Sequence, residues 1–403
     1  MDPITRWLDS RFALLTACVA AAIVYGSLFP FQYRPNGSAI QILLATARTP
    51  LSQSELAANI LFYVPLGLAA AAALRRIPGW AKFLLAGLGG SLLSAGMELA
   101  QAYSVGRSPD LWDLYANAAG SFLGAAVGAF CSSKSATRIL GGARNRPFVW
   151  LLLALWLGYQ LFPYWFSGDP RRLEQVFANL VHPGHFSWLD LFQKTVVWLA
   201  VALLLEALAG AARSRMALGW VMISVLLLRT MIGGALPSPE QIWGGAIAVF
   251  LWGAIGWRWT QRCAVVALLF VIYVALVALA PYQFLTSPRR FGLIPFVSFL
   301  NGGRDSGAWS FLEKAFTYGT LVWIVVRAGW KLGRAALSTA ALVLVLRVVQ
   351  IYLPGRSAES TDAILTLAMA GVMGLLKERP GGEQPQAPGA ATKRYPIPRT
   401  VTK

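Results

Sequence analysis

Apolar stretches approaching the ~20 residues that a bilayer span needs recur along the whole of this 403-residue chain. They read as twelve helices, near residues 12–30, 56–74, 83–103, 111–131, 148–166, 188–209, 216–233, 241–257, 263–281, 311–326, 335–352 and 361–376. Several windows are short, so tilt or local thinning of the bilayer has to accommodate them. Composition points the same way. The chain is 57% hydrophobic and 13% charged, against about 25% charged for a soluble domain. These values exclude a soluble globular protein and a disordered one. The expected fold class is all-α, a polytopic transmembrane helical bundle.

Thirty-five Lys and Arg against seventeen Asp and Glu give a net charge of +18. In a soluble protein that excess would suggest nucleic acid; here it reads as topology, with no nucleic-acid partner. With the N-terminus inside, the internal segments and the tail from Lys377 collect 22 Lys and Arg and the external loops nine. The split follows the positive-inside rule and predicts an inner-membrane, multi-pass protein with both termini cytoplasmic. Four cations remain within spans: Lys194, Arg229, Lys314 and Arg347.

Other local patterns carry less. Leu15-Thr16-Ala17-Cys18 has a lipoprotein-like look, but four apolar residues after Arg11 are too few for a signal-peptide core, so helix 1 is expected to stay as a span. Cys18, Cys131 and Cys263 have no paired spacing, and His182 and His185 have no further ligands beside them. Neither a disulfide framework nor a metal site is expected, and no cofactor. Residues 380–403, rich in Pro, Gly, Gln and Lys, read as a disordered cytoplasmic tail.

The chain also repeats itself. Gln101-Ala-Tyr103-Ser-Val-Gly106-Arg107-Ser108 and Gln350-Ile-Tyr352-Leu-Pro-Gly355-Arg356-Ser357 share five of eight residues, and twelve positions after each Gln comes an acid, Asp113 or Asp362. Leu28-Phe29-Pro30-Phe31, Leu161-Phe162-Pro163-Tyr164 and Leu279-Ala280-Pro281-Tyr282 end three helices. A polar residue enters the span after each: Asn59, Lys194 and Lys314. The expected division is three parallel four-helix units over 1–140, 141–260 and 261–379, the middle one degenerate. That unit keeps only Ser238-Pro239-Glu240 against Ser108-Pro109-Asp110, and Arg229 falls one position off the alignment of Arg347 with Glu98.

The first unit carries Asn59-x-x-Phe62-x-x-Pro65-Leu66-Gly67, then Glu98-x-x-Gln101, then Arg107-x-x-Asp110-x-x-Asp113-x-x-x-Asn117-x-x-Gly120. This ordered set resembles the VanZ-like family of small membrane proteins over about residues 12–131. The resemblance implies an envelope protein of a kind associated with low-level teicoplanin resistance. It brings no established reaction with it.

Residue spacing adds geometry. Glu98 with Gln101, and Asp110 with Asp113 and Asn117, each share a helix face. A short loop makes those two helices antiparallel neighbours, so the polar sets meet at the outer leaflet below Arg107, and Gly120, Gly124 and Gly128 allow close packing. Charges at such depth are costly unless paired or wet. One reading is a hairpin pinned by its own ion pairs, with the deep cations snorkelling to the headgroup level. The other is an outer-leaflet pocket formed by Asn59, Glu98, Gln101, Arg107, Asp110, Asp113 and Asn117. Lys194, Arg229, Lys314 and Arg347, with Gln350, Arg356 and Asp362, would complete it around an anionic lipid or glycolipid, possible partners including polyprenyl-linked lipids. The expected function is non-enzymatic recognition of such a head group. A lipid transporter or flippase, and an intramembrane transferase acting on a polyprenyl-phosphate sugar, stay open as alternatives. Glu206 is nearly the sole polar candidate in the inner half, which counts against transport.

Overall fold

In the computed structural model, residues 8–34, 38–46, 52–105, 107–182, 184–234, 236–301 and 304–376 are described. The expected tail over 380–403 and the segment from Lys377 lie outside them. The described residues form an all-α structure joined by loops, with isolated bridges between extended segments.

The first group of long helices is α1 (Ser10–Leu28), α3 (Gln53–Ala73), α4 (Gly79–Gln101) and α5 (Leu111–Cys131), with the short α2 (Ala39–Thr46) between the first two. After α6 (Lys134–Leu140) comes a second group: α7 (Pro147–Leu161), the short α8 (Arg171–Val181), α9 (Trp188–Ala209), α10 (Ala211–Met231) and α11 (Pro239–Ala254). The third is α12 (Arg262–Leu279), the short α13 (Val297–Asn301), α14 (Arg304–Arg327), α15 (Leu332–Val349) and α16 (Thr361–Leu375).

Each of the twelve apolar windows falls on one of these helices. Among the described residues, eight helices are long and apolar enough to cross a membrane: α1, α3, α4, α5, α9, α10, α12 and α15 with its 3-10 extension. Helices α7 and α16 are apolar but shorter, α11 has 16 residues, and α14 includes Glu313 and Lys314. Length and composition therefore support eight spans, where the sequence suggested twelve. Exposed apolar side chains such as Leu92 and Phe250 lie outward on α4 and α11, as expected for a protein solvated by lipid.

The windows that reach a turn proline overran their helices. The sequence suggested ends near 30, 166 and 281, whereas α1, α7 and α12 stop at Leu28, Leu161 and Leu279. The next residues, Phe29, Phe162 and Ala280, are extended because each precedes a proline. Behind each proline an aromatic N–H bonds back to the last helical carbonyl: Phe31 to Leu28, Tyr164 to Leu161 and Tyr282 to Leu279, at 2.8, 3.0 and 2.9 Å.

Glycine decides the packing of the first group. A Cβ on Gly124 would lie 2.0 Å from the Val64 carbonyl oxygen, and one on Gly120 2.2 Å from that of Ile60. The glycine stripe of α5 thus permits close approach to α3 rather than to α4, its neighbour in sequence. A Cβ on Gly67 would in turn lie 2.0 Å from the Ser121 carbonyl.

The second and third groups share one core. Helix α7 lies against α14 and α12 against α9, a reciprocal exchange. Trp156 meets Trp198 edge to face at 5.0 Å, and Phe316, Phe270 and Trp323 fill the same cluster. At the far end from the proline turns, Arg262 grips Glu206 through both Nε (2.8 Å) and Nη2 (2.5 Å). The first group attaches to the third, through Phe62 against Phe311 and Tyr25 Oη donating to the Pro295 carbonyl at 2.9 Å.

Candidate functional site

The polar residues concentrate at the proline-turn end of the helices. There, the extended segment after each proline pairs with the chain leaving a later helix. Arg34 N–H donates to Tyr103 O, Ser167 to Met231 O and Leu285 to Tyr352 O, at 2.8, 2.8 and 2.6 Å. Two residues before each of these acceptors stand Gln101, Arg229 and Gln350. Each sends a side-chain donor to the carbonyl three residues before a turn proline: Gln101 Nε2 to Ser27 (3.1 Å), Arg229 Nη1 to Gln160 (3.3 Å) and Gln350 Nε2 to Ala278 (2.7 Å). Arg229 therefore occupies the place of Gln101 and Gln350, not that of Glu98 and Arg347 suggested by the Ser-Pro-acid alignment. Counting twelve residues on from Arg229 reaches Gln241, where the other two groups have Asp113 and Asp362.

In the first group, Asn59 Nδ2 on α3 donates to Asp113 Oδ1 on α5 at 2.6 Å. Glu98 is 2% exposed and accepts the Asp110 backbone N–H at 2.8 Å, while the Asp110 side chain caps α5 through Trp112 N–H at 2.9 Å. Asn117 Nδ2 donates to Ser94 Oγ at 3.0 Å, and the Tyr63 phenol is buried in the electrostatic reach of Glu98 and Asp113. Arg107 Nη2 donates to the Gly26 carbonyl at 3.3 Å. All seven first-group residues singled out in the sequence are thus brought to one end of four packed helices.

In the third group, Asp362 is fully buried and is held by three donors: Lys314 Nζ at 3.0 Å, the Tyr318 hydroxyl and the Arg347 guanidinium. Arg347 also donates to Gln350 Oε1 at 2.5 Å. Arg356 spends its guanidinium on the Ala280 and Val277 carbonyls, at 2.8 and 3.1 Å. Lys314 and Arg347 thus share one carboxylate of their own group. Sequence reasoning passed over Tyr63 and Tyr318, yet each stands four residues after Asn59 or Lys314, a shared spacing that could have found them.

The second group differs. Arg229 Nη1 and Gln241 Nε2 both donate to Gln160 Oε1, at 2.8 and 3.0 Å, so the anionic position is filled by amides. Glu240 is engaged elsewhere, accepting Ser187 N–H at 3.0 Å. No carboxylate lies within ion-pair distance of Lys194 or Arg229 among the described residues, and Arg229 Nε is buried without an acceptor. The electrostatic neighbours of Lys194 are Glu313 on α14, across the group boundary, then Arg229, Asp190 and Glu240. Neither Gln160 nor Gln241 was singled out in the sequence.

Chemically, the first and third clusters are hydrogen-bonded pins that tie three or four helices together. The second is a pair of half-buried cations without a contacting carboxylate. No curated protein and no solved structure matches the chain. The sequence model of the VanZ/LLP1 family matches residues 12–132, the stretch that holds α1 to α5 and the first cluster: the chain carries a VanZ/LLP1 domain there.

Proposed function

We propose that this is a multi-pass envelope protein of the inner membrane that recognises an anionic lipid or glycolipid head group at the outer leaflet, without catalysis on it. On this reading the chain is three related four-helix units over 1–140, 141–260 and 261–379. The proline-turn end faces out and both termini face the cytoplasm. The repeated proline turns, the strand-like pairings behind them and the side-chain bonds from Gln101, Arg229 and Gln350 support the triplication. The 22-to-9 division of basic residues supports the orientation.

One observation carries the recognition. Lys194 and Arg229 stand at the outer ends of α9 and α10 without a carboxylate in contact, whereas Lys314 and Arg347 meet Asp362. Buried charge of one sign is disfavoured unless a counter-charge or water reaches it. A phosphate or carboxylate from the outer leaflet satisfies both cations by charge-assisted hydrogen bonds. Lipid movement across the membrane finds less support, because Glu206 is already clamped by Arg262.

Lipid retained through purification in mild detergent, extracted and identified by mass spectrometry, tests this. The wild-type protein should retain an anionic or phosphate-bearing lipid, and Lys194→Gln or Arg229→Gln should retain much less while staying folded. Equal retention of the same lipid by wild type and both variants would overturn the reading.

A further inference from the structure

Helix α8 has two unlike faces. Arg172, Gln175 and Asn179 recur at i, i+3 and i+7, and Leu173, Phe177 and Val181 at i, i+4 and i+8. Residues two apart lie about 200° round a helix, so the two sets occupy opposite sides. The polar set lines an open cleft of about 550 Å³ together with His185 and Ser238. Val176, between the two sets, is buried. The apolar set has no such cover: Phe177 is 60% and Val181 69% exposed.

The fold fixes the level at which that apolar face lies. Arg172 Nε donates to the Thr230 carbonyl at 2.9 Å, and its Nη2 to those of Ile232 and Gly234, at 2.8 and 3.3 Å. These carbonyls end α10 or directly follow it, so α8 is tied to the level where a span leaves the bilayer. On the last turns of α10, Leu227, Leu228 and Met231 are exposed and continue the apolar belt of the spans up to α8, which packs there. Trp188, the first residue of α9, is 77% exposed, with Phe186 edge to face against it at 5.1 Å. Aromatic rings at the end of a span mark the membrane–water boundary. We propose that α8 lies in the plane of the membrane surface at the proline-turn end, with Leu173, Phe177 and Val181 among the acyl chains and Gln175 and Asn179 toward water. An amphipathic helix so placed removes its apolar face from water without leaving the headgroup region. The long connections after the other two turn prolines follow suit, exposing Ile40 and Leu44 on α2 and Leu293 and Ile294 ahead of α13. The partner of this face is the bilayer itself, a contact separate from head-group recognition at Lys194 and Arg229.

Nitroxide labels placed by Phe177→Cys and Asn179→Cys, in the full chain freed of its own three cysteines, test this in vesicles of phosphatidylethanolamine and phosphatidylglycerol. Electron paramagnetic resonance reads how often each label meets oxygen, which concentrates among acyl chains, and a nickel chelate, which stays in water. The label at position 177 should meet oxygen and be shielded from nickel, and the label at 179 should show the reverse. Leu173→Cys should match position 177, and adding Phe177→Asp should raise its contact with nickel as the helix lifts. Nickel reaching positions 177 and 179 alike would put α8 in water and overturn the proposal. A label at 177 shielded from both reagents would show a protein surface over it, a second copy or another chain, and would overturn it equally. Either failure leaves lipid retention by Lys194 and Arg229 to be judged on its own.

Discussion

Replacing Asp362 by Asn removes one acceptor charge and leaves two cations behind. Asp362 is completely buried, and the side chains of Lys314 and Arg347 that meet it are 22% and 13% exposed. Breaking a buried pair from one side costs about 3–5 kcal/mol, because the partner charge stays desolvated. Lys314 retains a path to water, so the lower end, ~3 kcal/mol, is expected. Lys314→Asn is the informative comparison. It recreates the Asn59–Asp113 arrangement of the first group and leaves Asp362 paired with Arg347, so the loss should be ~1 kcal/mol, the net worth of one hydrogen bond. The ~2 kcal/mol difference is about a 30-fold ratio in the unfolding equilibrium. Reversible unfolding in mixed micelles, read by tryptophan fluorescence, measures both. Asp362→Asn within 1 kcal/mol of wild type, or Lys314→Asn costing more than Asp362→Asn, would refute the pin.

Gly124→Ala places a methyl group against the Val64 carbonyl, a backbone atom that cannot rotate away. Overpacking of this kind costs about 1–3 kcal/mol, and the same unfolding assay should show it, whereas Gly89→Ala, whose Cβ meets nothing within 4 Å, should be neutral. At the start of α1, partial burial raises the Asp9 carboxyl, but the hydrogen bonds from Arg75 and from the Arg11 N–H outweigh it and hold the group below its ordinary 3.8. A depressed carboxyl stabilises above its unfolded value and loses that contribution as pH falls through the folded one. Protection of the first turn of α1 from proteolysis should therefore decline below about pH 4 in wild type, and Asp9→Asn should remove that pH dependence.

The helices were legible because their cores are apolar and long, and each of the twelve windows found one. Their ends were not, since a hydropathy window runs through Phe29-Pro30 or Phe162-Pro163, where it is the proline that forces the backbone to turn. The acids of the first and third clusters were legible from their spacing after Gln101 and Gln350. The partners were harder to read. That Lys314 and Arg347 converge on Asp362 depends on how α14, α15 and α16 pack, which no spacing along one helix reports. The Ser-Pro-acid match follows Glu240. The backbone pairing of Ser167 with Met231 instead puts Arg229 two residues before the acceptor, as Gln101 and Gln350 are before Tyr103 and Tyr352. Gln160 escaped notice because a lone glutamine inside an apolar run has no pattern around it.

Gln241→Asp tests the central claim most directly, since it gives the second group the carboxylate that the first and third possess at the same place. If Lys194 and Arg229 bind a head group because no carboxylate of their own group contacts them, the new Asp should capture them. Thermal stability should then be kept or raised while lipid retained through purification falls toward the level of Lys194→Gln. Undiminished lipid retention in a folded Gln241→Asp protein would contradict the account.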